Sequence, residues 1–306
     1  MLRPFLLLSV LSASPALAEV PRVVTDITPV HSLVAQVMGD LGEPEVLVTA
    51  NASPHSFALR PSQAGALEQA QAVFWVGESL TPWLEPMLDR LSADAVQVEL
   101  LHLPETQTLG FRDADGFEAH DHDDDHDGHD DHGHDDHGNV DPHAWLNPDN
   151  AVVWLDAIAA ELSTLDPDNA ATYAANAQAA KDGLAATVAQ IEATLAPAQG
   201  KAFVVFHDAY HYFEARFGIE AVAAISLSDA ATPGPARVER IQQTVRENGV
   251  SCAFSEPQFS DGLVATVLDG TDARVAVLDP LGAALPEGPE LYNDLLRNMA
   301  ETIAGC

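Results

Sequence analysis

Along most of the chain, short runs rich in β-branched and aromatic residues alternate with stretches whose apolar positions recur at helical spacing. Residues 22–25, 45–49, 72–76 and 95–99 read as strands, and 29–39, 61–71 and 81–91 between them as helices. Such alternation predicts βα units around a largely parallel sheet. Asn147-Pro148-Asp149 then has the form of a helix start, and an apolar-periodic helix follows to about 165.

Asp166-Pro167-Asp168 is a second start signal, and the Ala/Gln/Glu-rich stretch behind it is interrupted only by Gly183 before Pro197 and Gly200. A helix of that length spans roughly 40 Å at 1.5 Å per residue. A βα connection needs less, so the pattern predicts a rigid connector between two lobes. A second alternating set follows, with strands at 201–206, 219–224, 250–255 and 274–278 and helices at 208–216, 237–247, 260–269 and 289–304. The expected fold is α/β: two (β/α) lobes with mostly parallel sheets joined by one long rigid α-helix. The boundaries fall at 19–165 for the first lobe, 166–197 for the helix and 198–306 for the second lobe.

Residues 1–18 read as a secretory signal peptide: Arg3 is its positive start, 5–11 its apolar run, and Ala16-Leu17-Ala18 its cleavage site. The run is too short to span a bilayer. No Cys follows the cleavage site to carry lipid, and no later segment suits direct membrane insertion. An exported, soluble periplasmic protein beginning near Glu19 is expected. The two cysteines, Cys252 and Cys306, suggest one disulfide in such a compartment.

Composition sharpens this picture at one place. The 306 residues hold 47 acidic and 13 basic side chains, a net charge of −34, which argues against nucleic acid or anionic lipid as a partner. Residues 113–137 contain twelve of the acidic groups and no Lys or Arg. The same stretch carries seven of the 13 histidines: His120, His122, His126, His129, His132, His134 and His137. Imidazole and carboxylate suit Zn²⁺ and its neighbours, and this spacing offers many ligand pairs without one fixed cage. The expectation is an extended loop, 113–138, that gathers metal weakly and multivalently.

Six histidines lie outside it. His55 sits in the loop after a strand, His143 just before a helix, and His207 directly ends a strand; Asp279 ends another. Open α/β sheets bind ligands beyond the carboxyl ends of their strands, so these four are placed to converge in the cleft between lobes. Three neutral imidazoles and one carboxylate make a tetrahedral set suited to Zn²⁺. His31 opens a helix and His102 lies in a loop, where surface or capping roles are expected. His211 is four residues from His207 but points elsewhere if His207 ends a strand.

Several motifs in order resemble the zinc-specific periplasmic substrate-binding proteins of bacterial ABC importers, within the cluster A-I metal-binding family. They are Ser53-Pro-His-Ser-Phe57 with Leu59-Arg-Pro-Ser62, Asp141-Pro-His-Ala-Trp-Leu-Asn-Pro148, Val205-Phe-His-Asp-Ala-Tyr210, Glu256-Pro-Gln258 and Leu278-Asp-Pro-Leu-Gly282. The resemblance covers the whole mature chain. It implies two lobes bridged by a rigid helix and zinc carried as the transported ligand. It also implies delivery to a membrane permease driven by a cytoplasmic ATPase. By the family's pattern His55, His143 and His207 are ligands, and the imidazole of His207, where manganese-selective relatives have Glu, favours zinc. Pro54 stands where some zinc members have a ligating Glu, which leaves Asp279, or water, for the fourth position. The acidic His tract matches an insertion of the zinc members.

Other readings are a carrier of manganese or another divalent metal, an extracellular adhesion or metal-buffering protein, and a zinc hydrolase. A hydrolase needs an open metal position and a general base, for which Glu214 or Asp208 are candidates. The chain has no His-Glu-x-x-His, Gly-x-Ser-x-Gly or Gly-rich phosphate loop. A closed four-ligand site favours binding without turnover, in a monomer that is not an enzyme.

Overall fold

A computed structural model of the chain describes residues 20–112, 117, 140–226, 233–259 and 262–306. The expected signal segment 1–18 and the seven tract histidines lie outside the described residues.

The first lobe holds strands β1 (Val23–Ile27), β2 (Glu45–Val48), β3 (Ala72–Trp75) and β4 (Val96–Glu99), with helices α1 (Thr28–Met38), α2 (Pro61–Gln69) and α3 (Glu85–Leu91). Helix α4 (Pro148–Leu165) follows, then α5 (Ala170–Leu195). The second lobe contributes β5 (Phe203–Val205), α6 (His211–Phe217), β6 (Ala223–Ala224), α7 (Pro235–Glu247), β7 (Cys252–Ser255), α8 (Gly262–Val267) and β8 (Arg274–Val277); α9 (Leu291–Ala304) closes the chain. The sheets have the orders β2-β1-β3-β4 and β6-β5-β7-β8. All pairings within them are parallel. Each sheet therefore reverses its winding between two central strands, β1 and β3 or β5 and β7, where such sheets open a crevice.

Asn147 caps α4 by accepting from the Asp149 amide, and Pro148 begins the helix with the fixed φ its first turn requires. The long helix is α5, 26 residues, flanked by 3₁₀ turns at Pro167–Asn169 and Ala196–Ala198. Its buried stripe, Tyr173, Ala177, Ala180, Leu184, Thr187, Ile191 and Leu195, recurs every three or four residues. The stripe packs against α4 on one side and α9 on the other. The small Ala side chains allow close approach. One continuous core runs from the first sheet through α4, α5 and α9 to one face of the second sheet, and a smaller cluster around Val204, Phe206, Ile241 and Val264 covers the other face.

Two elements differ from the sequence pattern for local reasons. The strand expected over 219–224 contracts to Ala223–Ala224, because the Ala221 amide is taken by the Glu214 carboxylate before the chain joins the sheet. Helix α6 begins at His211 because a tight turn, Ala209 amide to His207 carbonyl at 2.9 Å, intervenes. The last helix does not stay within the second lobe. It lies on α5 and α1, while Cys306 at its end is bonded to Cys252 of β7, Cα to Cα 5.9 Å. The expected disulfide is formed. Among the described residues no helix is long and apolar enough to cross a membrane.

Candidate metal centre

The loop after β2 carries His55 and is pinned where Trp83 Nε1 donates to the Pro54 carbonyl at 2.7 Å. Phe57 packs its ring 5.4 Å from that of Trp83. His143 is held by its own local turn. Asp141 Oδ1 accepts from the His143 amide at 3.0 Å and lies 2.7 Å from His143 Nδ1. His207 follows β5 at the crevice of the second sheet, and Glu256 follows the neighbouring β7 in matching register. Glu256 Oε1 lies 2.6 Å from His207 Nδ1.

Both contacts fix a tautomer. An ionised carboxylate at Nδ1, the form a cation on the ring favours, requires the proton there, so Nε2 presents a lone pair, the arrangement found behind metal-ligating histidines. His143 Nε2 and His207 Nε2 face each other at 3.4 Å. Two acceptor nitrogens at that distance do not bond to each other. Tetrahedral zinc with Zn–N of about 2.05 Å sets its nitrogens roughly 3.3 Å apart, close to the separation observed. The His55 ring stands 5.4 Å from His143 and 6.3 Å from His207. One ligand atom from each of His55, His143 and His207 lies within 4.8 Å of the others, and among the described residues no other group of three such side chains does.

The walls are apolar. Trp145 packs 5.2 Å from His143 and Phe259 5.9 Å from His207, centroid to centroid. Asp141, Glu256, His143 and His207 are buried, and His55 is half-buried at the rim. A cavity of about 20 Å³ remains between His55, His143, His207, Glu256, Gln258 and Leu281, room for about one water-sized ligand. Burial pushes the Asp141 carboxyl up to about 8, against the lowering effects of the His143 amide, His211 and Arg112. A divalent cation on the imidazoles would favour the charged form of Asp141, and the ion would then be matched by the two carboxylates behind them.

Asp279 is not brought into this group. Its Oδ1 accepts from the Leu281 and Gly282 amides at 2.9 and 3.0 Å, and its Oδ2 from that of Ala283. It shapes the loop whose Pro280 and Leu281 line the cavity. Gly282 adopts φ +81°, a value that disfavours a side chain there. His211 turns away toward Asp141, Nδ1 to Oδ2 3.8 Å. His102 is exposed and paired with Glu99 at 2.9 Å. His31, expected at the surface or as a cap, is instead buried, its Nε2 3.0 Å from the Pro44 carbonyl. Asp141 and Glu256 were not singled out by sequence as partners of the histidines. The local signals are modest: Asp141 stands two residues before a His, and Glu256 follows the end of a strand, as His207 and Asp279 do.

A wider cavity of about 740 Å³ opens between α1, α5 and the segment 288–293, away from the three histidines. Size does not make it the metal site, because its lining brings no comparable ligand group together.

Comparison with known proteins identifies the family. The family described as ZnuA, zinc-uptake complex component A, periplasmic, matches residues 23–306. The high-affinity zinc uptake system protein ZnuA of Paracoccus denitrificans is 47% identical over 310 residues, covering 96% of this chain and 94% of that protein. Its namesake in Brucella abortus is 41% identical, covering 93% and 91%. A crystal structure of ZnuA superposes with a TM-score of 0.76 at 26% identity, covering 94% of this chain and 98% of the other.

Proposed function

The chain belongs to the ZnuA family of periplasmic zinc-uptake components, and we propose that it captures Zn²⁺ through His55, His143 and His207. It is a binding protein, not an enzyme, and zinc is its cargo. ZnuA-type proteins serve an ABC importer's membrane permease and its ATPase, and the cleft between lobes is where this one would carry the ion. The observation that carries the ligand assignment is the pair of mutually facing Nε2 atoms 3.4 Å apart, each with an acidic side chain at its Nδ1.

A fourth ligand enters as water in the residual cavity, because the Asp279 oxygens are engaged by the backbone of its own loop. The protein acts as a monomer after removal of a signal peptide near Ala18, with lobes 19–165 and 198–306 on either side of the connecting helix. The His/Asp tract raises the local zinc concentration at the cleft. Binding displaces protons, so affinity falls as pH is lowered through the histidine range.

Zinc titration of a variant lacking 113–138, with metal analysis and Mn²⁺ competition, tests this reading. One tight site, preferring zinc and lost in His143→Ala, supports it. Absence of tight binding, or a preference for manganese, rejects it. Unchanged loading at scarce zinc after the deletion rejects the role given to the tract.

A further inference from the structure

The two edges of the His/Asp insert meet at an isolated antiparallel bridge, Gly110 with Val140, followed by the Asp141 amide donating to the Leu109 carbonyl at 2.9 Å. This root belongs to the first lobe, yet its polar groups reach into the second. Arg112 Nε donates to both oxygens of Asp208 at 3.0 Å, and its Nη1 to Glu214 Oε2 at 2.6 Å. The guanidinium lies over the Phe117 ring, 3.7 Å from its centroid. The Tyr212 hydroxyl accepts from the Leu109 amide at 2.8 Å and donates to the Asp141 carbonyl at 2.7 Å, joining both edges of the root to α6.

Two facts make this more than surface decoration. The Arg112 and Glu214 side chains are only 9% and 2% exposed, so the pair is little screened by water. The Arg216–Asp149 pair, also between lobes, is 27% and 47% exposed and contributes little. Asp208 is also covalently next to His207, as Asp141 is two residues before His143, so the contacts act on both ligand-bearing segments.

We propose that Arg112 is a positioning residue that clasps the His207 segment to the lobe carrying His55 and His143, slowing release of the bound ion. This rests on the reading of those histidines as the zinc ligands. Arg112 touches no ligand atom and acts through Asp208 and Glu214.

The test uses the full chain loaded with zinc and mixed with excess chelator, reading the slow phase of release that His143→Ala abolishes. Arg112→Gln should release zinc roughly tenfold faster, chiefly in the off-rate, and Arg112→Lys should fall between it and the unaltered protein. Arg112→Gln also leaves Glu214 buried without its cation, so Arg112→Gln/Glu214→Gln is measured beside it. Thermal stability recovering in the double variant while release stays fast supports the clasp. Release returning to the original rate with the recovered stability, or unchanged release in folded Arg112→Gln, overturns it. With no slow phase in the unaltered protein, the ligand assignment fails as well.

Discussion

Glu256 Oε1 stands 2.6 Å from His207 Nδ1, a contact across the crevice between β5 and β7 made by residues 49 apart in sequence. It fixes the ring in the tautomer that turns Nε2 toward His143. Glu256→Gln should lower zinc affinity about tenfold, within the 10- to 100-fold range usual for partners of metal-bound histidines, while leaving one ion per protein. Chelator competition measures the first and metal analysis the second. An unchanged affinity would show that the ring is held by packing alone.

Asp141 plays the same part for His143 at 2.7 Å, and its backbone carbonyl also accepts from Tyr212. Asp141→Asn should weaken zinc by about tenfold and preserve the Tyr212 contact, which involves only the main chain. Tyr212→Phe should do the converse, sparing the His143 tautomer. Parallel titrations of the two variants separate these effects.

Asp26 offers a pH dependence of stability. Its carboxyl lies at the crevice of the first sheet and accepts from the Ile27 and Val76 amides at 2.8 and 2.7 Å. Burial pushes it up from 3.8 to about 7, the amides pulling the other way. The folded state therefore holds this proton more tightly than the unfolded chain. The group's contribution is fully present below about pH 4 and is lost as pH rises toward 7. One such proton gives a slope of up to about 1.4 kcal/mol per pH unit. Urea unfolding from pH 4 to 8 should show Asp26→Asn lacking that decline, so its stability relative to the unaltered protein improves as pH rises.

The Cys252–Cys306 bond closes a loop with a sequence separation of 54. Chain entropy assigns a ring of this size roughly 4 kcal/mol. Replacing both residues by Ala should lower the urea midpoint accordingly and expose the amides of α9 to hydrogen exchange ahead of those of α5. Equal protection of the two helices would mean that packing on α1 and α5 suffices to hold the last one.

Elements with strong local signals were legible from sequence. The β-branched runs at 72–76 and 95–99 lie within a residue or two of β3 and β4, and the Asn147-Pro148 start fits α4. The long Ala-rich stretch is α5 with its flanking 3₁₀ turns. What the pattern lacked were contacts made only by folding. The tie between Ala221 and Glu214 shortens β6, and the turn at His207 delays α6. At the site, the three histidines stood out because each follows a strand or precedes a helix. Glu256 also directly follows a strand, but its pairing with His207 depends on the register between β5 and β7. Asp279, with the same strand-end position as His207, spends its oxygens on the three amides that follow, a choice visible only in three dimensions.

The covalent link at the chain's end has a mechanical meaning. Helix α9 lies on α1 and α5, but its terminal residue is bonded into β7 of the other lobe. The loop between β8 and α9 is bolted to the first lobe by Thr28 Oγ1 donating to the Leu281 carbonyl at 2.6 Å and Trp145 Nε1 to that of Pro280 at 2.9 Å. Any swing of the second lobe must therefore drag α9 across the spine or stretch the short chain behind it. The bond works as a door chain. It caps how far the cleft can gape, so whatever enters or leaves between the lobes does so with only a small separation of them.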